Sequence, residues 1–552
     1  MLQCVTTCSR LVRSGLLLAL IATAPGRGPV AAAQPVVAVS AETVRLTAVA
    51  RTLGASSAER DDAMRVYRAR AAATVWTTPQ GTPTDAATAM TARFEAAATH
   101  GLDPAAYRLP GVLDRAALAG DSLAARDVAL TLATLRYMRH LHLGRVDPRR
   151  LGLRLQVWDE PHDFPMLLAD ALGNGRVPAV VDGLAPPFAV YRALMAALAR
   201  YRALGGEGLP PVPAVKTSVR AGEAWPGVAA VARRLVVLGD LDAAAERLVG
   251  PAIYDEPLLT AVRRFQARHG LTPDGTIGAR TVAALQVPVA ARAEQIALAL
   301  ERLRWLPDLG TRRVVAVNIP MFRLWAWEAG PLEAPPVATM EVIVGRALRH
   351  ETPVFVETLD HVIFRPYWNV PVSIVRNEVL PAMSRRPGYL AAQQMEIVRG
   401  PGDDATVVPA TPEAIAALAT GTLRLRQRPG PHNSLGLVKF VFPNRESVYM
   451  HGTPAPALFA RDRRDFSHGC IRLADPPALA AWVLGGVPGW TAARIAAAMR
   501  AETPERVPVA APIDVVLFYM TASVGPADDA LHFADDIYGH DQALARALTT
   551  PR

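Results

Sequence analysis

Arg313–Val314–Val315–Ala316–Val317–Asn318–Ile319 marks the point at which the chain changes period. Upstream of it apolar residues recur at helical spacing. From here on they alternate or run in β-branched series, which is how strands buried on one or both faces read. The same reading covers Leu324 to Trp327, Met340 to Val344, His361 to Pro366 and Leu437 to Phe442, with turn dipeptides at Ala329–Gly330 and Pro443–Asn444. Residues 312–490 are therefore expected to form a β-rich domain. Within it, residues 372–428 lose the alternation and become helical and proline-interrupted, so an inserted helical cap is expected there, a natural lid.

Working toward the N-terminus, residues 291–311 form an amphipathic linking helix, with Ile296, Leu300, Leu303 and Leu306 near one stripe. Before it, Val228 to Leu238, Pro257 to His269 and Ala279 to Leu285 are three short helical patterns. Turns at Gly239–Asp240 and Pro273–Asp274–Gly275 join them, giving a small three-helix unit over 225–290. Pro210, Pro211 and Pro213 make 205–224 a Pro/Gly-rich linker, and 40–204 is Ala-, Leu- and Arg-rich with helical spacing, as in Ala124 to His142. Toward the C-terminus, Ile513 to Thr521 is strand-like and Asp541 to Leu548 helical, so 491–552 is expected to return to the earlier domains. The fold class is multidomain α+β. A chain of 552 residues is too long for a single core, which stops growing at roughly 250–300 residues.

Residues 1–33 read as an export signal: Arg10 and Arg13 precede the apolar stretch Gly15 to Ala24, and Ala31, Ala32 and Ala33 follow. The expected location is the periplasm, with an inner-membrane tether if the signal is uncleaved. Of three cysteines, Cys4 and Cys8 fall inside the signal, so a mature exported chain keeps Cys470 alone and cannot form an internal disulfide. The formal charge of +9 is no sign of a nucleic-acid partner. All but two of the 59 basic residues are arginine, the exceptions being Lys216 and Lys439, and no basic run is interleaved with aromatics.

Ser467–His468–Gly469–Cys470–Ile471–Arg472 carries the chemistry. A thiol becomes a nucleophile when a nearby imidazole takes its proton. Gly469 allows a sharp turn whose amides can face a developing oxyanion. His468, two residues from Cys470, lies parallel to it in an extended chain. His451, in Tyr449–Met450–His451–Gly452–Thr453, is expected to approach from an adjacent strand as general base, leaving His468 a structural or oxyanion-side role. Arg472 is placed to hold a substrate carboxylate bidentately, the alternative being an ion pair with Asp462, Asp465 or Asp475. Tyr449 also has the ordinary reading of a sheet residue. No paired-cysteine or His-x-x-x-His cluster suggests a metal, and no cofactor is expected.

These residues resemble the motif of YkuD-type L,D-transpeptidases. The resemblance extends to the large Gram-negative, YcbB/LdtD-like form, which joins a helical scaffold, a peptidoglycan-binding domain and a capped catalytic domain. His100–Gly101–Leu102–Asp103–Pro104 and Gly144–Arg145–Val146–Asp147–Pro148 look like the scaffold. Ala261–Val262–Arg263–Arg264–Phe265–Gln266, Gly270–Leu271, Asp274–Gly275 and Gly278 resemble the peptidoglycan-binding type 1 domain. Tyr367 to Pro371 and Arg426 to Gly436 look like segments flanking the cap, so Trp368 and Asn433 are implied to line a donor groove. Tyr449 and Ser467 complete the candidate substrate contacts. Arg472 replaces the Asn of many YkuD enzymes but suits the large form, whereas Gly452 follows His451 where that form often has Asp.

The resemblance implies that Cys470 attacks the carbonyl before the terminal D-alanine of a donor tetrapeptide, releasing D-alanine. An acceptor stem then resolves the thioester as a 3→3 crosslink. Hydrolysis of the same acyl-enzyme, as in a carboxypeptidase or endopeptidase, and a silent wall-binding scaffold are the rival readings.

Overall fold

The computed structural model describes residues 41–549 apart from 72–73, 79, 109–120, 156–161, 206–208, 247–251, 331, 333, 349 and 527. The export signal with Cys4 and Cys8, and part of the linker, lie outside the described residues.

The N-terminal region is helical, its longest element being Asp121–Leu143. Ser56 starts the helix Ser57–Arg70 with a capping box, accepting from the Glu59 N–H while the Glu59 carboxylate accepts from the Ser56 N–H. Buried Asp127 ties this layer together, accepting from the Tyr67 hydroxyl at 2.7 Å and the Trp76 N–H at 2.7 Å. The helix Ala189–Ala203 leads toward the next unit.

In that small unit, Val228–Leu238, Glu256–Arg268 and Ala279–Gln286 pack around Trp225, Tyr254, Val262, Phe265 and Ile277. Gln266 is buried and shapes the turn between the last two helices. Its amide nitrogen donates to Thr276 O at 2.9 Å and its oxygen accepts from the Gly275 N–H at 2.8 Å.

The linking helix Val289–Leu303 bolts the N-terminal region to the β-rich domain. Glu301 accepts from the Val146 N–H at 2.9 Å and pairs with fully buried Arg304 at 2.7 Å. Arg304 in turn reaches the Tyr191 hydroxyl. Breaking such a buried pair by removing one partner strands the other charge, so it fixes this junction strongly.

The β-rich domain is built on strands β1 (Arg313–Asn318), β2 (Arg323–Trp327), β3 (Ala338–Gly345) and β4 (Phe355–Phe364). The cap comes next, with β5 (Trp368–Val370), β6 (Met395–Arg399), β7 (Thr406–Val408) and β8 (Arg424–Gln427). The main sheet resumes with β9 (Val438–Val441), β10 (Met450–His451), β11 (Asp465–Ser467), β12 (Ile471–Leu473) and β13 (Glu505–Phe518). The main sheet runs β11-β3-β12-β10-β9-β4-β13-β1-β2, and a further β2–β3 pairing brings it back on itself. Closure of this kind removes the exposed edge that β2 would otherwise present. β13 lies in the middle, antiparallel to β4 and parallel to β1, so the catalytic sheet continues beyond residue 490.

Val438, Phe440, Met450, Ile471 and Leu473 are all buried in the core. Because side chains alternate across a strand, the residues between them face the other side. Lys439, Tyr449, His451 and Arg472 are thereby brought to one surface, with β10 between β9 and β12.

The cap differs from the helical insertion expected. It contains helices, among them Leu380–Arg385 and Pro412–Thr420, but also its own sheet in the order β5-β8-β6-β7. Two of these strands are three residues long, too short for period-2 alternation to show in the sequence.

Candidate active site

Cys470 stands just before β12 in a turn shaped by its neighbours. Ser467 Oγ accepts from the Gly469 N–H at 3.1 Å and donates to Cys470 O at 2.5 Å. Gly469 has φ +111°, a conformation that L residues rarely adopt. Its carbonyl accepts from Thr352 Oγ1 at 2.8 Å, and that hydroxyl oxygen accepts from the Gly345 N–H at 2.8 Å. The turn is thus pinned from below by the loop after β3.

The structure corrects two expectations. The Gly469 N–H is taken by Ser467 Oγ, so it does not face an oxyanion site; among the described residues the Cys470 N–H has no protein acceptor and is the amide of this turn left for that role. Ser467 is buried and shapes the backbone instead of meeting a substrate.

The sulfur is half-buried. Its S–H faces Ser447 O at 4.0 Å, and the Tyr449 N–H and hydroxyl are neighbouring groups that favour the thiolate. The Trp368 side chain, on cap strand β5, also hydrogen-bonds the Tyr449 side chain. Burial pushes the Cys470 thiol up, while the Tyr449 N–H, Lys439, the Tyr449 hydroxyl and Arg472 pull it back down. The net shift is upward, so the resting group is a thiol.

His451 is buried on β10, with its ring 5.6 Å from that of Tyr449. Its Nδ1–H donates to Gly452 O at 2.5 Å, so a backbone carbonyl supplies the local support where an aspartate was absent. This fixes Nε2 as the acceptor nitrogen. Burial, reinforced by the charge of Arg472, pushes its pKa down to about 3, so the ring is neutral near pH 7. Among the described residues no hydrogen bond joins His451 to Cys470.

His468 does not stand on the oxyanion side. Its Nε2 pairs with Glu378 of the cap at 2.6 Å and its ring lies 4.7 Å from that of His350. Asn433 also departs from the groove expected of it. It is fully buried, and its amide nitrogen donates to Pro366 O, Gln427 O and Arg428 O at 3.1, 3.3 and 2.9 Å. It therefore clasps the two chain segments that enter and leave the cap.

Arg472 faces the same surface as Tyr449 and His451. The three aspartates weighed as its partners are engaged elsewhere: Asp462 with Arg280, Asp465 with Arg463, and Asp475 as the cap of helix Pro476–Val483. Its Nε is buried without a hydrogen-bond partner among the described residues. Sequence reasoning missed Lys439 and Glu378. Lys439 did carry a signal, being one of two lysines among the 59 basic residues, but its place opposite His451 depends on strand register.

A thiol, a neutral buried imidazole and two cations thus lie close together beside the cap, an arrangement whose chemistry suits a nucleophilic thiol. Comparison with known proteins gives it a family. Residues 312–507 match the L,D-transpeptidase catalytic domain (YkuD), residues 226–285 the "Putative peptidoglycan binding domain" (PG_binding_1) and residues 61–198 the Scaffold domain. The chain thus carries a YkuD L,D-transpeptidase catalytic domain and a peptidoglycan-binding type 1 domain. A Haemophilus influenzae protein named "Putative L,D-transpeptidase" is 30% identical over 251 residues, 46% of this chain. That match spans about half (49%) of the relative. A crystal structure of the L,D-transpeptidase from Xylanimonas cellulosilytica aligns at 17% identity with TM-score 0.17, covering 55% of this chain and 100% of that one.

Proposed function

We propose that the chain is a peptidoglycan L,D-transpeptidase of the large YcbB/LdtD-like form, with Cys470 as nucleophile. The observation that carries this reading is the thiol in the pinned Gly469 turn, beside Tyr449, inside a domain of the L,D-transpeptidase family. Cys470 Sγ attacks the carbonyl joining the third stem residue to the terminal D-alanine. The S–H proton passes by way of His451 Nε2 to the leaving amine as the C–N bond breaks. A thioester and free D-alanine result. The Cys470 N–H faces the tetrahedral oxyanion, and Arg472, lacking an acidic partner among the described residues, takes a stem carboxylate.

The acceptor amine of a neighbouring stem then attacks the thioester, forming the 3→3 amide and returning the proton to sulfur. The cap shelters the thioester from water, and the module at 226–285 keeps the enzyme on its polymer. The substrate this reading assigns suits a periplasmic enzyme, exported by residues 1–33 or tethered through them if they are retained.

The test is incubation of purified protein with disaccharide-tetrapeptide, followed by mass spectrometry, in parallel with Cys470→Ala. A 3→3 dimer and released D-alanine, both lost in the variant, are expected. Tripeptide alone would make the enzyme a carboxypeptidase, and product retained by Cys470→Ala would remove the thiol from the chemistry.

A further inference from the structure

Lys439 stands out in a chain whose other basic residues, Lys216 apart, are all arginine. It sits on β9 opposite His451, half-buried, with its ammonium 3.8 Å from the centroid of the Tyr449 ring. A cation seated over the face of an aromatic ring is held there by the ring quadrupole. The ionisable groups around Lys439 are Tyr449, just before β10, His451 from β10, Cys470 just before β12, His361 from β4 and Asp403 from the cap. Among the described residues no carboxylate lies in ion-pair contact with it, so its charge is not neutralised locally. It falls on the Tyr449 ring and on the sulfur that Tyr449 holds.

His451, with a pKa near 3, is a weak proton acceptor. Ionisation of Cys470 therefore depends on what stabilises the sulfur once the proton has left. We propose that Lys439 is the positioning residue of the nucleophile: seated on the Tyr449 ring, its ammonium strengthens the Tyr449 hydroxyl as the donor that holds Cys470 as a thiolate. The S–H bond breaks, the proton goes to His451 Nε2 during turnover or to water in the free enzyme, and the electron pair stays on sulfur. The proposal rests on Cys470 being the nucleophile.

It is tested by the rate of Cys470 alkylation with iodoacetamide in the full chain, followed by peptide mass spectrometry so that Cys4 and Cys8 are scored apart. Rates are taken from about pH 5 to about pH 10, spanning the ordinary thiol range. Lys439→Met should raise the midpoint by about one unit and slow alkylation at pH 7 on the order of tenfold. Lys439→Arg should restore most of the rate, and Lys216→Met, at an exposed site, should leave the profile unchanged. Tyr449→Phe, which keeps the ring but not the hydroxyl, should move the midpoint in the same direction as Lys439→Met. The double variant should shift less than the sum of the two, because Lys439 acts through Tyr449. An unchanged midpoint in folded Lys439→Met overturns the proposal. If that variant does not fold, an unchanged midpoint in Tyr449→Phe overturns it. Neither outcome touches the nucleophile reading, which fails only if Cys470→Ala still forms product.

Discussion

Gly469 is the residue on which the orientation of the Cys470 thiol turns. With φ at +111°, an added Cβ meets no atom closer than 3.6 Å, so the obstacle to substitution is backbone strain and not crowding. Gly469→Ala should cost about 1–2 kcal/mol in urea unfolding, yet lower product formation far more than that loss implies, as the turn relaxes and carries the thiol away from Tyr449. Equal losses in the two measurements would show that the turn only holds the fold.

His451 gives a pH dependence with a definite sign. Its folded pKa lies below the unfolded value, so between about pH 6.5 and about pH 3 the unfolded chain binds the extra proton and stability falls as pH falls. Burial lowers His100 to about 4 and also lowers His269, so the acid loss is shared. His451→Gln should remove about 1.4 kcal/mol per pH unit from the slope of unfolding free energy in that window. A slope unaltered by the substitution would mean that His451 is not held neutral. Cys470 and His451 could be singled out in the sequence because a thiol and an imidazole flanked by glycine are locally distinctive. The place of Asn433 at the base of the cap and of Lys439 opposite His451 could not, since their partners are contributed by segments brought together only by the fold.

The cap is the element on which access depends. Asn433 fastens its base, and removing the amide deprives three carbonyls of a donor. Asn433→Ala should therefore destabilise the protein by about 1–3 kcal/mol and raise hydrogen exchange in β5 and β8 before the main sheet. At the other end, Glu378 meets His468 as a half-exposed pair, worth about 0.2–1 kcal/mol. Glu378→Gln should leave the urea midpoint nearly unchanged while exchange rises over residues 372–379. No change there would mean that the pair does not hold the cap down. Strands β1, β2, β3, β4 and β9 were readable because their apolar residues alternate or run over four or more positions, and alternation also sets the catalytic side: once Val438, Phe440, Met450 and Ile471 are inside, Lys439 and His451 must be on the other face. The cap sheet was hidden by its short strands.

At the scale of the molecule, Phe533 is where the parts meet. The strands β14 (Ala522–Val524) and β15 (Leu531–Phe533) form a hairpin, and its buried Phe533 lies 5.6 Å from Tyr201, 5.4 Å from the His269 ring and 4.6 Å from the Arg292 guanidinium. One side chain thus touches the N-terminal helices, the peptidoglycan-binding domain and the linking helix. Phe533→Ala should cost about 3–5 kcal/mol and make the helix Ala189–Ala203, which carries Tyr201, more readily cleaved by protease. Unchanged proteolysis would mean that the domains hold together without this contact. The sequence anticipated that the C-terminal segment returns to earlier domains, but not that it supplies a central strand, because pairing over such separations leaves no local trace.

That central strand also governs timing. A chain is made from its N-terminus, so Cys470, His451 and Tyr449 all exist before residues 505–518 have been added. Until β13 arrives, β1 and β4 have no shared neighbour and the barrel wall is open. Cys470 is therefore synthesised before the sheet that positions it is complete, and a chain that stops before β13 is complete carries every group of the candidate site without the wall that holds them in register.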